Sequence, residues 1–177
     1  NPSVYHMDPP LKQAMRIPSN HYKSVLDAKD GFHSIPLDKE SRKFTHFITT
    51  SHGILRYTCV PQGCITSPAA FNERMDMAER DKNGKKMFPN SVRLMDDTCI
   101  FAATLEEILN STCAYLTKIG RAGISFSPSK FQFGQKEVEY VGFRIHPGGL
   151  HVSEKIVKSL RNFPRPQNLT DMRSFMG

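Results

Sequence analysis

Apolar and polar positions along this chain change their spacing several times, and each change marks an element. In "YKSVLDA" an apolar run ends at Asp27, and it is too short for a helix, which predicts a buried strand. "RKFTHFITT" and "LRYTCV" are rich in β-branched and aromatic residues and are separated by "SHGI", which predicts a hairpin with Gly in its connection. Apolar residues then return at helical spacing, with Ala70, Phe71, Met75 and Ala78 on one face of "AAFNERMDMAER". Ser67 and Pro68 supply that helix with its start, since Ser can cap and Pro costs nothing at the first helical position.

"SVRL" and "TCIFA" predict two short strands with Asp96 and Asp97 at the turn between them, a place that Asp tolerates. Thr104 and Glu107 form a T-x-x-E capping box, after which Leu105, Ile108, Leu109, Thr112, Leu116 and Ile119 recur at helical spacing up to Gly120. "VEYVGFRI" and "LHV" flank "HPGG" and predict a further hairpin. Ser153 with Ile156, Val157 and Leu160 opens another helix, stopped by "FPRP", and "NLTDMRSFMG" begins one more. Residues 1 to 22 are Pro-rich and polar, an irregular lead-in with one short helix around "PLKQAM". "ERDKNGKKMFPN" reads as a basic, turn-rich loop with solvated charges. This order predicts an α+β architecture, an antiparallel sheet with helices packed on one face.

The 177 residues suffice for one domain, or one domain with a partial neighbour. Hydrophobic residues at 38% and charged residues at 23% exclude a disordered chain and an integral membrane protein. No apolar run reaches the roughly 18 residues that a membrane span needs. "NPSVYHMDPP" lacks the basic-then-apolar order of a signal peptide, and a start other than Met predicts a processed piece or a cut from something longer. Cys59, Cys64, Cys99 and Cys113 form no C-x-x-C pair and have no His at zinc-finger spacing, so they predict reduced intracellular thiols and no zinc site. Lys and Arg number 24 against 17 for Asp and Glu, and the resulting net charge of +7 favours an anionic partner, nucleic acid first.

Candidate chemistry gathers at strand ends: "LDAKDGF", "PQGCITSPAA" and "LMDD". Each has a plain structural reading on its own, a cap at Asp27 or a solvated turn at Asp96 and Asp97. Two adjacent carboxylates nevertheless repel by about 4 kcal/mol at an effective dielectric near 20, and either water or a cation must offset that.

Together the segments "LDAKDGFHSIPLDKESRKFTHFIT", "PQGCITSPAAF", the x-Met-Asp-Asp box, "GISFSPSKFQF" and "EYVGFRIHPGG" resemble the palm of a reverse transcriptase. The similarity is to gypsy-type long-terminal-repeat retrotransposons and retrovirus-like elements. It implies an RRM-like polymerase palm over residues 23–152, a remnant of the fingers over 1–22, and the connection and start of the thumb over 153–177. It further implies an RNA-directed DNA polymerase that adds dNTPs to a primer 3′-hydroxyl on an RNA or DNA template, using two Mg²⁺ ions with Mn²⁺ able to substitute. The implied partners include the rest of a polyprotein (fingers, thumb and ribonuclease H), with no membrane, inside the cell or in a virus-like particle.

Site residues follow from the same resemblance. Asp27 and Asp96 would bridge the ions, Asp97 would complete the site, and the Ala28 carbonyl would add a ligand. Lys130 would be a general acid to the pyrophosphate. Phe32 would lie beneath the incoming sugar and reject a 2′-hydroxyl, while Gln62 and Gly63 would lie against the nucleotide and the nascent base pair. Ser67 and Pro68 would begin the helix under the template, Met95 would sit beneath the primer terminus, and Tyr140, Val141, Gly142 and Phe143 would grip the primer. Leu94 stands where relatives carry Tyr, Phe or Val. The chain shows no triphosphate-clamping fingers strands before Asp27 and no ribonuclease H segment, so the alternative expectation is a catalytically impaired or truncated nucleic-acid-binding palm.

Overall fold

Strand β1 (Tyr22–Lys29) is the centre of the molecule because both of its faces are covered. In the computed structural model, which describes residues 7 to 176, it pairs antiparallel with β5 (Asp97–Ala102), and β5 pairs with β4 (Ser91–Leu94). On its other side, β6 (Ser125–Phe126) and β7 (Gln132–Gln135) each pair with one half of β1, completing a five-stranded sheet of the described residues. Positions 1 to 6 of the expected lead-in and position 177 lie outside the described residues.

Alternation along the strands divides the core. Leu26, Ala28, Ile100 and Ala102 face the helices α2 (Ser67–Ala78) and α3 (Leu105–Arg121), meeting Phe71, Met75, Ile108, Tyr115 and Ile119. The two long helices therefore share one face, as the order of elements predicts. Val25, Val92 and Cys99 face the other way, toward α1 (Pro10–Ala14) and a second antiparallel sheet of β8 (Val138–Tyr140), β9 (Phe143–His146) and β10 (Gly149–Val152). Each large apolar side chain buried in this way contributes about 1.5–3 kcal/mol. Ala14 and Ile17 belong to this second core cluster, so the lead-in is part of the fold and not an irregular appendage.

Several expectations change in detail. "VEYVGFRI" is two strands, because Val141 and Gly142 both take positive φ and reverse the chain between β8 and β9. β6 and β7 carry no strong period of their own and form only because β1 offers an open edge. The buried stripe of α3 runs through Ile108, Thr112, Tyr115 and Ile119, whereas Leu105 and Leu109 are 57% and 47% exposed. Tyr115 enters the core because its hydroxyl donates to Glu79 Oε1 at 2.8 Å. The capping box at Thr104 and Glu107 forms as expected.

Ser67 does not cap α2. It stands inside the first turn behind Thr66, and its buried hydroxyl donates to the Pro61 carbonyl at 2.7 Å, tying the preceding loop to the helix. The first hairpin is shorter than its sequence suggests, with β2 (His46–Thr49) and β3 (Gly53–Arg56) forming a separate, largely exposed ribbon. Beyond β10 come α4 (Glu154–Arg161) and α5 (Leu169–Met176), both solvent-facing.

Candidate active site

The register of β1 and β5 sets Asp27 directly opposite Asp97, which in turn lies opposite Leu94 of β4. The β4–β5 hairpin reverses through Met95 and Asp96, with Met95 in the left-handed region at φ +54°. The Asp96 carbonyl then accepts the Ala28 amide at 2.9 Å, which hangs the turn over the end of β1. Beyond that strand end, Asp30 takes φ +51° and Gly31 opens a short 3-10 turn to Ser34. Gly31 passes so close that a Cβ there would stand 3.1 Å from Asp96 Oδ1 and 2.7 Å from the Phe71 ring.

Packing at this point leaves Asp96 Oδ1 buried without a hydrogen-bond partner. A buried acceptor normally finds a donor, so an orphan at a carboxylate cluster points to a ligand. The charges are correspondingly uncomfortable. Burial first, then repulsion from Asp27 and Asp96, push the Asp97 carboxyl up to about 6. Asp96 is raised as well, by burial and then by Asp27. The counter-charge is Lys130, from the 3-10 turn after β6, whose ammonium donates to Asp27 Oδ1 at 3.0 Å and Oδ2 at 3.1 Å. Its own pKa rises, chiefly through that hydrogen bond.

The donor set suits a hard divalent cation, since carboxylate oxygens are the ligands such ions prefer and one of them is an orphan. As the side chains stand, no three His, Cys, Asp or Glu among the described residues are grouped to hold a metal, and Lys130 covers both oxygens of Asp27. Binding an ion therefore requires Lys130 to swing aside, which its largely exposed side chain permits.

The raised carboxyl at Asp97 makes stability depend on pH. An acid held above its ordinary value of 3.8 carries no penalty while protonated and the full penalty once ionised, so stability falls as pH rises through about 4 to about 6. Asp97→Asn is therefore expected to be more stable than the parent at about pH 8, by on the order of 1 kcal/mol after solvent screening, with the gap closing near pH 4. Thermal unfolding at the two pH values checks this. A gap that widens toward acid would refute the electrostatic reading.

The remaining expected residues stand on other elements. Phe32 is half-buried and meets Phe71 edge-on, with ring centroids 5.8 Å apart. Gln62 and Gly63 are exposed on the loop before α2, and Gly63 has φ +89°. Pro68 is half-buried, and its carbonyl accepts the Asn72 amide at 3.0 Å. Met95 Sδ lies 3.5 Å from the Asn72 amide nitrogen. Val141 and Gly142 form the β8–β9 turn and Phe143 begins β9, and a Cβ on Gly142 would stand 2.7 Å from Ile156. Tyr140 is 1% exposed and its hydroxyl donates to the Val92 carbonyl at 3.2 Å, so its side chain supports that turn from the core.

Gly31 and Phe71 emerge as site residues that sequence reasoning did not single out. The signal for Gly31 was the Asp-Gly pair immediately after β1, a mark of abrupt chain reversal.

A profile of the family described as "Reverse transcriptase (RNA-dependent DNA polymerase)" matches residues 1–145. The chain is 34% identical over 168 residues to the Gag-Pol polyprotein of avian reticuloendotheliosis virus, covering 90% of this chain and 14% of that protein. It is 31% identical over 156 residues to the retrovirus-related Pol polyprotein from transposon 297 of Drosophila melanogaster, covering 88% of this chain and 14% of that protein. Among solved structures, the foamy viral protease-reverse transcriptase in complex with an RNA/DNA hybrid matches 98% of this chain and 23% of its own, with a TM-score of 0.83 and 25% identity. The chain thus spans 14% of the length of either polyprotein. Paired carboxylates at the ends of β1 and β5, in a fold shared with a solved enzyme and under a profile match over most of the chain, place this chain in the reverse transcriptase family.

Proposed function

We propose that this chain is the palm of an RNA-directed DNA polymerase within a retrotransposon or retrovirus-like polyprotein, working inside the cell or in a virus-like particle. The observation that carries the reading is the orphaned Asp96 Oδ1 beside the Asp27–Asp97 pair. A module that only bound nucleic acid would gain nothing from clustered acids, which repel phosphate. No helix of the described residues is long and apolar enough to cross a membrane.

Asp27, Asp96 and Asp97, with the Ala28 carbonyl, would hold the divalent ions that members of this family use, and we propose Mg²⁺ with Mn²⁺ able to substitute. When bound, such ions lower the pKa of a primer hydroxyl and neutralise the triphosphate. Lys130, released from Asp27, carries its proton toward the leaving pyrophosphate. The Phe32 ring, backed by Phe71, stands under the sugar and excludes a 2′-hydroxyl. Gln62 and Gly63 line the nucleotide, Ser67 fixes the loop that carries them, and Pro68 begins the helix beneath the template. Met95 lies under the primer end, and Val141, Gly142 and Phe143 bring their turn against the primer backbone. The template, primer, dNTPs, fingers, thumb and ribonuclease H are the partners this reading requires.

Primer extension on an RNA template tests it, run with the longer protein that carries this chain, dNTPs and Mg²⁺ or Mn²⁺. Template-directed incorporation is expected, and none with either ion would refute the assignment. In the same assay Phe32→Ala is expected to raise ribonucleotide incorporation relative to deoxynucleotide by about tenfold or more. An unchanged ratio would remove Phe32 from the sugar site.

A further inference from the structure

Strand β4 carries a charged residue on a face that packs against helices. Arg93 lies just before the Met95 turn, and its side chain is only 7% exposed. Its Nε donates to Glu79 Oε1 at 3.0 Å, its Nη1 to Asn72 Oδ1 at 2.6 Å, and its Nη2 to Asp76 Oδ1, groups that lie on α2 and its C-terminal cap. Asn72 is itself buried, and its amide nitrogen reaches Met95 Sδ at 3.5 Å as well as the Pro68 carbonyl. The chain of contacts runs from the helix, through the guanidinium, to the strand and the turn it feeds.

Buried ion pairs contribute little net stability compared with apolar packing, and their best-attested use is to fix geometry. The planar guanidinium suits that use, because its fork sets angles as well as distances. The geometry that needs fixing is at hand. Met95 is a non-glycine residue in the left-handed region, a conformation that persists only where its surroundings over-determine it. We infer that Arg93 and Asn72 form a positioning clamp that anchors β4 to α2, holds Met95 in its left-handed conformation and thereby presents the Asp96 carboxylate over the end of β1. Neither residue touches reacting atoms. The consequence for catalysis rests on the proposed function, whereas the clamp itself does not.

The amide of Ala28 reports on the clamp, because its hydrogen bond goes to the carbonyl of Asp96 in the turn. Leu26, opposite Thr98 in the same strand pair, supplies the reference for general loosening of the sheet. Hydrogen exchange is measured at both amides in the full chain, comparing the parent with Arg93→Met, Asn72→Ala and Glu79→Gln. Arg93→Met and Asn72→Ala are expected to speed Ala28 exchange by about tenfold more than Leu26 exchange, the signature of local opening. Glu79→Gln, which loosens the cluster at the end farther along α2, is expected to move the two amides together. Parallel acceleration at Ala28 and Leu26 in Arg93→Met and Asn72→Ala, or no change in either, would overturn the clamp. Asn72→Ala leaves the Arg93 pairs with Glu79 and Asp76 in place, and it decides the matter alone if Arg93→Met does not fold. Mn²⁺ titration of the same proteins by electron paramagnetic resonance separates the two readings. Binding in the parent weakened by about tenfold in Asn72→Ala supports both, since a ligand held off its productive geometry loses affinity of that order. A parent that binds no Mn²⁺ while Ala28 still answers to Asn72→Ala would strike the proposed function and leave the clamp standing.

Discussion

Asp96→Asn is expected to lower single-turnover primer extension by about a thousandfold, equivalent to about 4 kcal/mol of transition-state stabilisation, while making the chain more stable. The two effects have one cause. Asp96 is held near Asp27 and Asp97 with one oxygen buried and unpartnered, so its ionisation is costly. An amide has the same size and preserves the fit against Gly31, but it removes one of the mutually repelling charges. It also removes the anionic oxygen that a hard cation needs. Extension rates and thermal unfolding at neutral pH are the measurements. Undiminished extension would show that Asp96 is no ligand, and a fall in stability would show that the buried oxygen is satisfied in some other way.

Gly31→Ala is expected to cost about 1–3 kcal/mol of stability through overpacking and to reduce activity with it. The backbone of Gly31 is not at issue, since its φ lies outside the left-handed region. The added methyl would sit 2.7 Å from Phe71 Cε2, 3.0 Å from Phe71 Cζ and 3.1 Å from Asp96 Oδ1. Phe71 is fully buried under Phe32, so the ring cannot retreat without opening the core. The alternative is for the 3-10 turn to move, which shifts the floor under Asp96. Gly120→Ala in α3 is the control, because a Cβ there meets nothing within 4 Å. Gly120 stands in the last turn of α3, so Gly→Ala there adds at most roughly 0.5–1 kcal/mol, the gain found in a helix interior. Urea unfolding of the two variants decides: if Gly31→Ala is no less stable than Gly120→Ala, the close approach at Gly31 is not real.

Elements whose signals are local are legible in the order of residues alone. The capping box and apolar stripe of α3, the Gly-containing hairpin at β2 and β3, and the strand ending near Asp27 follow from neighbours a few residues apart. Among site residues, the carboxylates are legible as a motif because Asp96 and Asp97 are adjacent in the chain and lie between apolar strands.

Nonlocal choices are not legible in that way. β6 and β7 are polar, short segments that become strands only against the edge of β1. Tyr140 and Tyr115 turn inward because partners from distant segments, the Val92 carbonyl and Glu79, satisfy their hydroxyls. Ser67 gives up a capping position for the Pro61 carbonyl. The amino-acid sequence by itself determined β1 to β5, the two long helices and the acidic residue types, because spacing and side-chain chemistry act over a few positions. Only the tertiary structure decided that Asp27 faces Asp97, that Lys130 bridges Asp27, that Gly31 passes under Asp96 and that Arg93 ties the turn to α2. Those meetings depend on strand register and on the packing of segments far apart in the chain, which no local pattern encodes.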